Sequence, residues 1–118
     1  MAASFAIFQG WDRPIEGRES QAAQLYKDVE AYWSRQKSAG NIESWEMVLL
    51  APHGGALNGF FLIRGDRDKL QQLQTTNDFI DLTTRQASIA RGFSSLTAFL
   101  GDSALQQSQR FHKHAAAA

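Results

Sequence analysis

Apolar positions recur along this chain with two periods, and the alternation between them predicts the elements. A Phe- and Ile-rich run, Ser4–Gln9, reads as a first strand. Gly10-Trp11-Asp12-Arg13-Pro14 follows as a loop, because Pro14 disfavours helix at Arg13. From Arg18 to Ala39, residues Ala22, Leu25, Tyr26, Val29, Trp33 and Gln36 recur at three- and four-residue spacing, the stripe of an amphipathic helix. Glu16 and Glu19 near its start and Lys37 near its end suit the helix dipole, and Gly40 stands where a left-handed cap belongs. Strand-like runs follow at Asn41–Leu50 and Leu57–Arg64, joined as a hairpin by Ala51-Pro52-His53-Gly54-Gly55-Ala56. A helical region extends from an N-capping Asp66 to about Arg91, in two pieces broken near Asn77 or Asp78. The last strand covers about Gly92–Leu100. Asp102 or Ser103 caps a short helix over Ala104–Arg110, and His112-Lys113-His114 with its alanines reads as a frayed tail.

The order β–α–β–β–α–β has one familiar antiparallel solution with right-handed crossovers, the ferredoxin-like α+β sandwich with both main helices on one sheet face. It predicts one domain over residues 1–111 and a disordered tail over 112–118. Period-two alternation sorts the strand residues into faces. Trp45, Met47, Leu49, Phe61, Ile63, Leu96, Ala98 and Leu100 form an apolar set expected beneath the helices. The opposite set is mixed: Ser44, Glu46, Val48, Leu50, Asn58, Phe60, Leu62, Arg64, Phe93, Ser95, Thr97 and Phe99. At about 25 cal/mol per Å² of apolar surface, that second face carries too much hydrocarbon to leave in water. A second copy, sheet against sheet, is the economical cover. Within the hairpin, pairing Leu50 with Phe60, Val48 with Leu62 and Glu46 with Arg64 gives an apolar ladder ending in an ion pair.

Composition narrows the functions. Across 118 residues, 12 Lys+Arg balance 12 Asp+Glu, which argues against nucleic-acid binding and against a polybasic membrane anchor. The absence of Cys removes disulfides, thiolate metal sites and thiol catalysis. No apolar run approaches a membrane helix, and the N-terminus lacks the pattern of a secretory signal, so a cytoplasmic protein is expected.

The helix from Arg18 to Gly40, the segment Asn41-Ile42-Glu43-Ser44-Trp45-Glu46 and the run His53-Gly54-Gly55-Ala56-Leu57-Asn58-Gly59-Phe60 resemble small bacterial proteins of the dimeric α+β barrel group, which includes antibiotic-biosynthesis-monooxygenase-like domains. The resemblance implies a homodimer whose four-stranded sheets face each other. Its members include cofactor-free oxygenases, haem-handling enzymes, isomerases and lactonases, and no member's catalytic set maps onto these residues.

Candidate chemistry is sparse. His53-Gly54-Gly55 has the letters of a lipase oxyanion segment but no Gly-x-Ser-x-Gly elbow accompanies it, so a glycine-bearing hairpin tip is the better reading. His112 and His114 with His53 would need a strand to converge as a metal site, and neither a metal nor a cofactor is expected. Glu46, with Ser44, Asn58, Ser95 and Thr97 around it, is a candidate general base, against the simpler reading of an ion pair with Arg64. Trp11 could gate a cleft, and Phe60 could line an apolar pocket. These seven residues, with His53, form the expected site: Trp11, Ser44, Glu46, His53, Asn58, Phe60, Ser95 and Thr97. The function expected is binding of a small apolar or aromatic molecule by a homodimer. The alternatives are a cofactor-independent enzyme using Glu46 or His53, and a purely structural or regulatory dimer.

Overall fold

The structure, a computed structural model, describes residues 4–117. Strand β1 (Phe5–Trp11) leads through a two-residue strand β2 (Arg13–Pro14) to helix α1 (Glu19–Ser38). The hairpin β3 (Ser44–Leu49) and β4 (Gly59–Gly65) follows, then α2 (Arg67–Leu73), α3 (Asn77–Ile89), β5 (Ala90–Arg91), β6 (Ser94–Phe99) and α4 (Gly101–Ala117). The main sheet runs β3-β4-β1-β6, antiparallel at each step, and β2 pairs with β5 as a separate ribbon.

Local chemistry accounts for the helix ends. Gly40 adopts φ +79° just beyond α1, a conformation glycine reaches without a Cβ clash. Asp66 caps α2 by accepting from the Lys69 N–H at 3.2 Å. Thr76, beside the expected break, caps α3 by accepting from the Phe79 N–H. Ala22, Leu25, Val29, Tyr32 and Trp33 of α1 are buried against Ile7, Phe61 and Ile63 of the sheet and Phe79 of α3. An aromatic file crosses this layer, with ring centroids 5.1 Å apart for Tyr26–Trp11, 5.4 Å for Trp11–Phe61 and 6.2 Å for Phe61–Trp45.

Several expectations need correction. Strand β1 extends through Trp11, which is buried in the core and gates no cleft. Its ring lies over Gly59, where a Cβ would fall 2.6 Å from Trp11 Cζ2; only glycine opposite it leaves the room. The hairpin pairs Val48 with Phe60, Glu46 with Leu62 and Ser44 with Arg64, two residues away from the expected register. Each residue keeps its face because the slip is even. The tight loop end sets it: Leu50 N–H donates to Asn58 O at 3.0 Å, and His53 bridges the tip back to Leu57 O at 2.7 Å.

Strand β6 turns the other way from the expected one. Thr97 lies opposite Ile7 and Ser95 opposite Gln9, so both face the helices, whereas Leu96 opposite Phe8 and Ala98 opposite Ala6 face away. The expected tail is also replaced: α4 continues through His112 and His114 to Ala117, in keeping with alanine's high helix propensity and the lack of any Gly or Pro to stop it. Ala118 lies outside the described residues. Ser103 anchors the start of this helix, accepting from Leu100 N–H at 3.0 Å and lying against the Ser4 carbonyl.

Candidate functional site

The eight expected residues do not converge. Ser44, Glu46 and Phe60 belong to the uncovered sheet face. There Glu46 makes an exposed ion pair with Arg64, Nη1 to Oε1 3.0 Å, and Phe60 packs on Phe8 at 5.1 Å between ring centroids. The diagonal position across the shifted register brings Glu46 and Arg64 together. His53 sits at the exposed hairpin tip. Its Nδ1 accepts from Gly55 N–H at 2.8 Å, so Nε2 carries the hydrogen given to Leu57 O. Asn58 donates from its amide to Asp12 Oδ1 at 2.7 Å, tying the hairpin to the end of β1. Trp11, Ser95 and Thr97 lie on the helix side of the sheet.

That helix side holds a polar group the pattern reading missed. Gln9, fully buried, and Gln86 of α3, 2% exposed, meet between sheet and helix. Gln86 Nε2 donates to Gln9 Oε1 and Gln9 Nε2 donates to Ser95 Oγ, both at 3.4 Å. These bonds are longer than the usual 2.7–3.2 Å for N–H···O, and Gln86 Oε1 has no partner among the described residues. The hydroxyl of Tyr26 and the indole N–H of Trp33 are likewise buried without partners. The signal was in the sequence: Gln9 alternates with Ile7 and Trp11 at period two, and Gln86 follows Phe79 and Leu82 at helical spacing before Ile89.

Burial raises the Tyr26 phenol above its ordinary pKa, so it stays protonated and able to donate. Tyr32 is raised too, chiefly by burial; the nearby Thr76 hydroxyl opposes this, although no hydrogen bond of good geometry joins them. Tyr32 lines a second feature, a cleft of about 430 Å³ between α1 and α3 with Arg35, Asp28, Asp78, Asp81 and Arg85. Across it Arg85 donates to Asp28 at 2.7 Å. Hydrogen bonds from Arg85 and then Gln24 hold the Asp28 carboxyl below its ordinary pKa. Among the described residues no cluster of three or more His, Cys, Asp or Glu is placed to hold a metal ion. No helix among them is long and apolar enough to cross a membrane.

The uncovered face is apolar at its centre. Leu62, Phe8 and Leu96 form one row across three strands, Val48 and Phe60 the next, and Leu96 is 57% exposed. Solved structures with this chain fold exist. An EthD family protein from Bacillus halodurans superposes with a TM-score of 0.60 at 11% identity, over 80% of this chain and 96% of its own. The fold is ferredoxin-like. A dimeric ferredoxin-like protein of unknown function from Bacteroides fragilis matches with a TM-score of 0.58 at 8% identity, over 85% of this chain and all of its own. SnoaB, a cofactor-independent oxygenase from Streptomyces nogalater, matches with a TM-score of 0.50 at 14% identity, over 84% and 93%. No family model and no curated protein matches the sequence.

Proposed function

We propose that this chain is a homodimeric α+β barrel subunit that binds a small aromatic or apolar molecule carrying one polar group, in the layer between sheet and helices. The observation that carries the reading is the buried pair Gln9–Gln86 with its unpartnered Oε1, in the same helix–sheet layer as the aromatic core of Trp11, Tyr26, Trp33 and Phe61. A buried polar atom left without a partner costs about 1–3 kcal/mol, and native cores rarely retain one without use. Aromatic walls with a few placed polar groups are the usual make-up of a small-molecule site. The apolar open face supports the homodimer, with the partner's sheet as its cover, as does the dimeric state named for the Bacteroides fragilis neighbour.

Among the described residues the buried layer holds amides, phenols and two indoles and no carboxylate or imidazole, while Glu46 and His53 face solvent elsewhere. This arrangement favours binding over proton-transfer chemistry by those two residues. A thermal-shift screen of aromatic acids, phenols and quinones tests the proposal. The expected result is a saturable rise in melting temperature that Gln86→Leu abolishes. A ligand that stabilises the variant and the parent equally would place binding elsewhere, and no hit in any class would count against the reading.

A further inference from the structure

A solvent-facing depression lies beside the hairpin tip, apart from the buried layer. In the β2–β5 ribbon Arg13 stands directly opposite Arg91. Directly opposed residues in an antiparallel pair project to the same side, and like charges so placed repel. The ribbon cannot relax by sliding, because Asp12 N–H donates to Arg91 O at 2.8 Å at one end and Ile15 N–H to Ile89 O at 2.7 Å at the other. The fold uses little of this charge. Arg13 Nε lies 3.8 Å from Asp12 Oδ1, and Arg91 has no carboxylate partner among the described residues. Both arginines line a depression of about 240 Å³ whose far wall is Gly54-Gly55-Ala56. There the N–H groups of Gly54 and Ala56 make no hydrogen bond within the described chain, while that of Gly55 is taken by His53 Nδ1. The one carboxylate in the depression, Asp12, is already engaged by the Asn58 amide at 2.7 Å and by Arg13.

We infer that this depression binds a small oxyanion, a phosphate monoester or a carboxylate. Two guanidiniums supply planar, charge-assisted donors, and the glycine-rich wall supplies the Gly54 and Ala56 N–H groups, which take no partner within the described chain. An anion between Arg13 and Arg91 replaces their repulsion with two attractions. The volume admits a phosphate with a few further heavy atoms, so the anionic end of a metabolite fits and a polyanion does not.

The test is a titration of the full chain with inorganic phosphate and, separately, with acetate, at constant ionic strength, followed by amide chemical shifts. Saturable shifts are expected at Gly54–Ala56, Asp12, Arg13, Arg91 and Gly92, weakened at least tenfold in Arg91→Gln and also weakened in Arg13→Gln. Both arginines are exposed, so either variant should fold, and unchanged shifts in the α1 core would verify it. Tighter binding of phosphate than of acetate identifies the phosphate class; the reverse order identifies a carboxylate. Absence of saturation by either anion overturns the inference. So do shifts that sodium chloride reproduces, or shifts that survive unchanged in Arg91→Gln. None of these outcomes depends on the buried glutamines.

Discussion

Replacing both buried glutamines with methionine should stabilise the protein, and the structure sets the size of the effect. Gln86 Oε1 has no partner, so its desolvation, about 1–3 kcal/mol, is uncompensated in the parent. The two bonds that would be lost are 3.4 Å long and contribute little of the ~0.5–1.5 kcal/mol of a well-made one. Methionine has nearly the length and flexibility of glutamine, so packing is conserved. Ser95 is half-buried and can turn to water when Gln9 is removed. The expected gain for Gln9→Met with Gln86→Met is about 1–2 kcal/mol, or roughly 4–10 °C in melting temperature for a domain of this size. The single change Gln86→Met only moves the orphan from Gln86 Oε1 to Gln9 Oε1, and its effect should be near zero. Urea and thermal unfolding followed by tryptophan fluorescence, at one fixed protomer concentration, read these differences. A double variant that melts several degrees below the parent would show that the amide pair holds the core together. The premise that it is kept at a cost for binding would then fail.

Other expectations follow from the same geometry. Leu96→Asp places a charge on an exposed point of the open face; light scattering should give the mass of one 13.1 kDa chain where the parent gives two, with the circular dichroism unchanged. Trp33→Ala empties the largest fully buried site and should cost about 3–5 kcal/mol by urea titration. Asp28 has a folded pKa below its unfolded value of 3.8, so its contribution is complete above that value and is lost as pH falls through the folded pKa. The stability difference between the parent and Asp28→Asn should therefore be small at pH 7, since the pair is exposed, and should shrink below pH 4 to nothing. A difference that grows with acidification would contradict that sign.

The positions where pattern reading and structure part are instructive. The spacing of Leu25, Val29 and Trp33 sufficed for α1, because a helix stripe is written at fixed intervals within a single element. For β6 the same logic placed the uniformly apolar set, Leu96, Ala98 and Leu100, inward, and the structure has Ser95 and Thr97 there. The rule that polar residues face out fails at Ser95 because the inner layer is itself polar at Gln9, its cross-strand partner. Local rules tend to break at sites kept for a function, which is consistent with the proposal for that layer. Trp11 was misplaced for a related reason. Pro14 lies three residues past the end of β1, inside strand β2 paired antiparallel with β5, so it is no stop signal for Trp11, and the missing Cβ of Gly59 shows that the indole folds inward.

By itself the sequence determined what local physics can specify: the element order, the caps at Gly40 and Asp66, the helix break and the even-odd sorting of strand residues. Side-chain periodicity and capping act over a few residues and need no knowledge of the rest of the chain. Tertiary structure alone decided which strand face meets the helices, which register the hairpin takes, and that Gln9 and Gln86, 77 positions apart, share a bond. It also set Arg13 against Arg91 beside the glycines of a distant loop. Such choices are made by pairing between segments far apart in sequence, where a shift of two residues or a turn of one face preserves the local pattern and alters the neighbours.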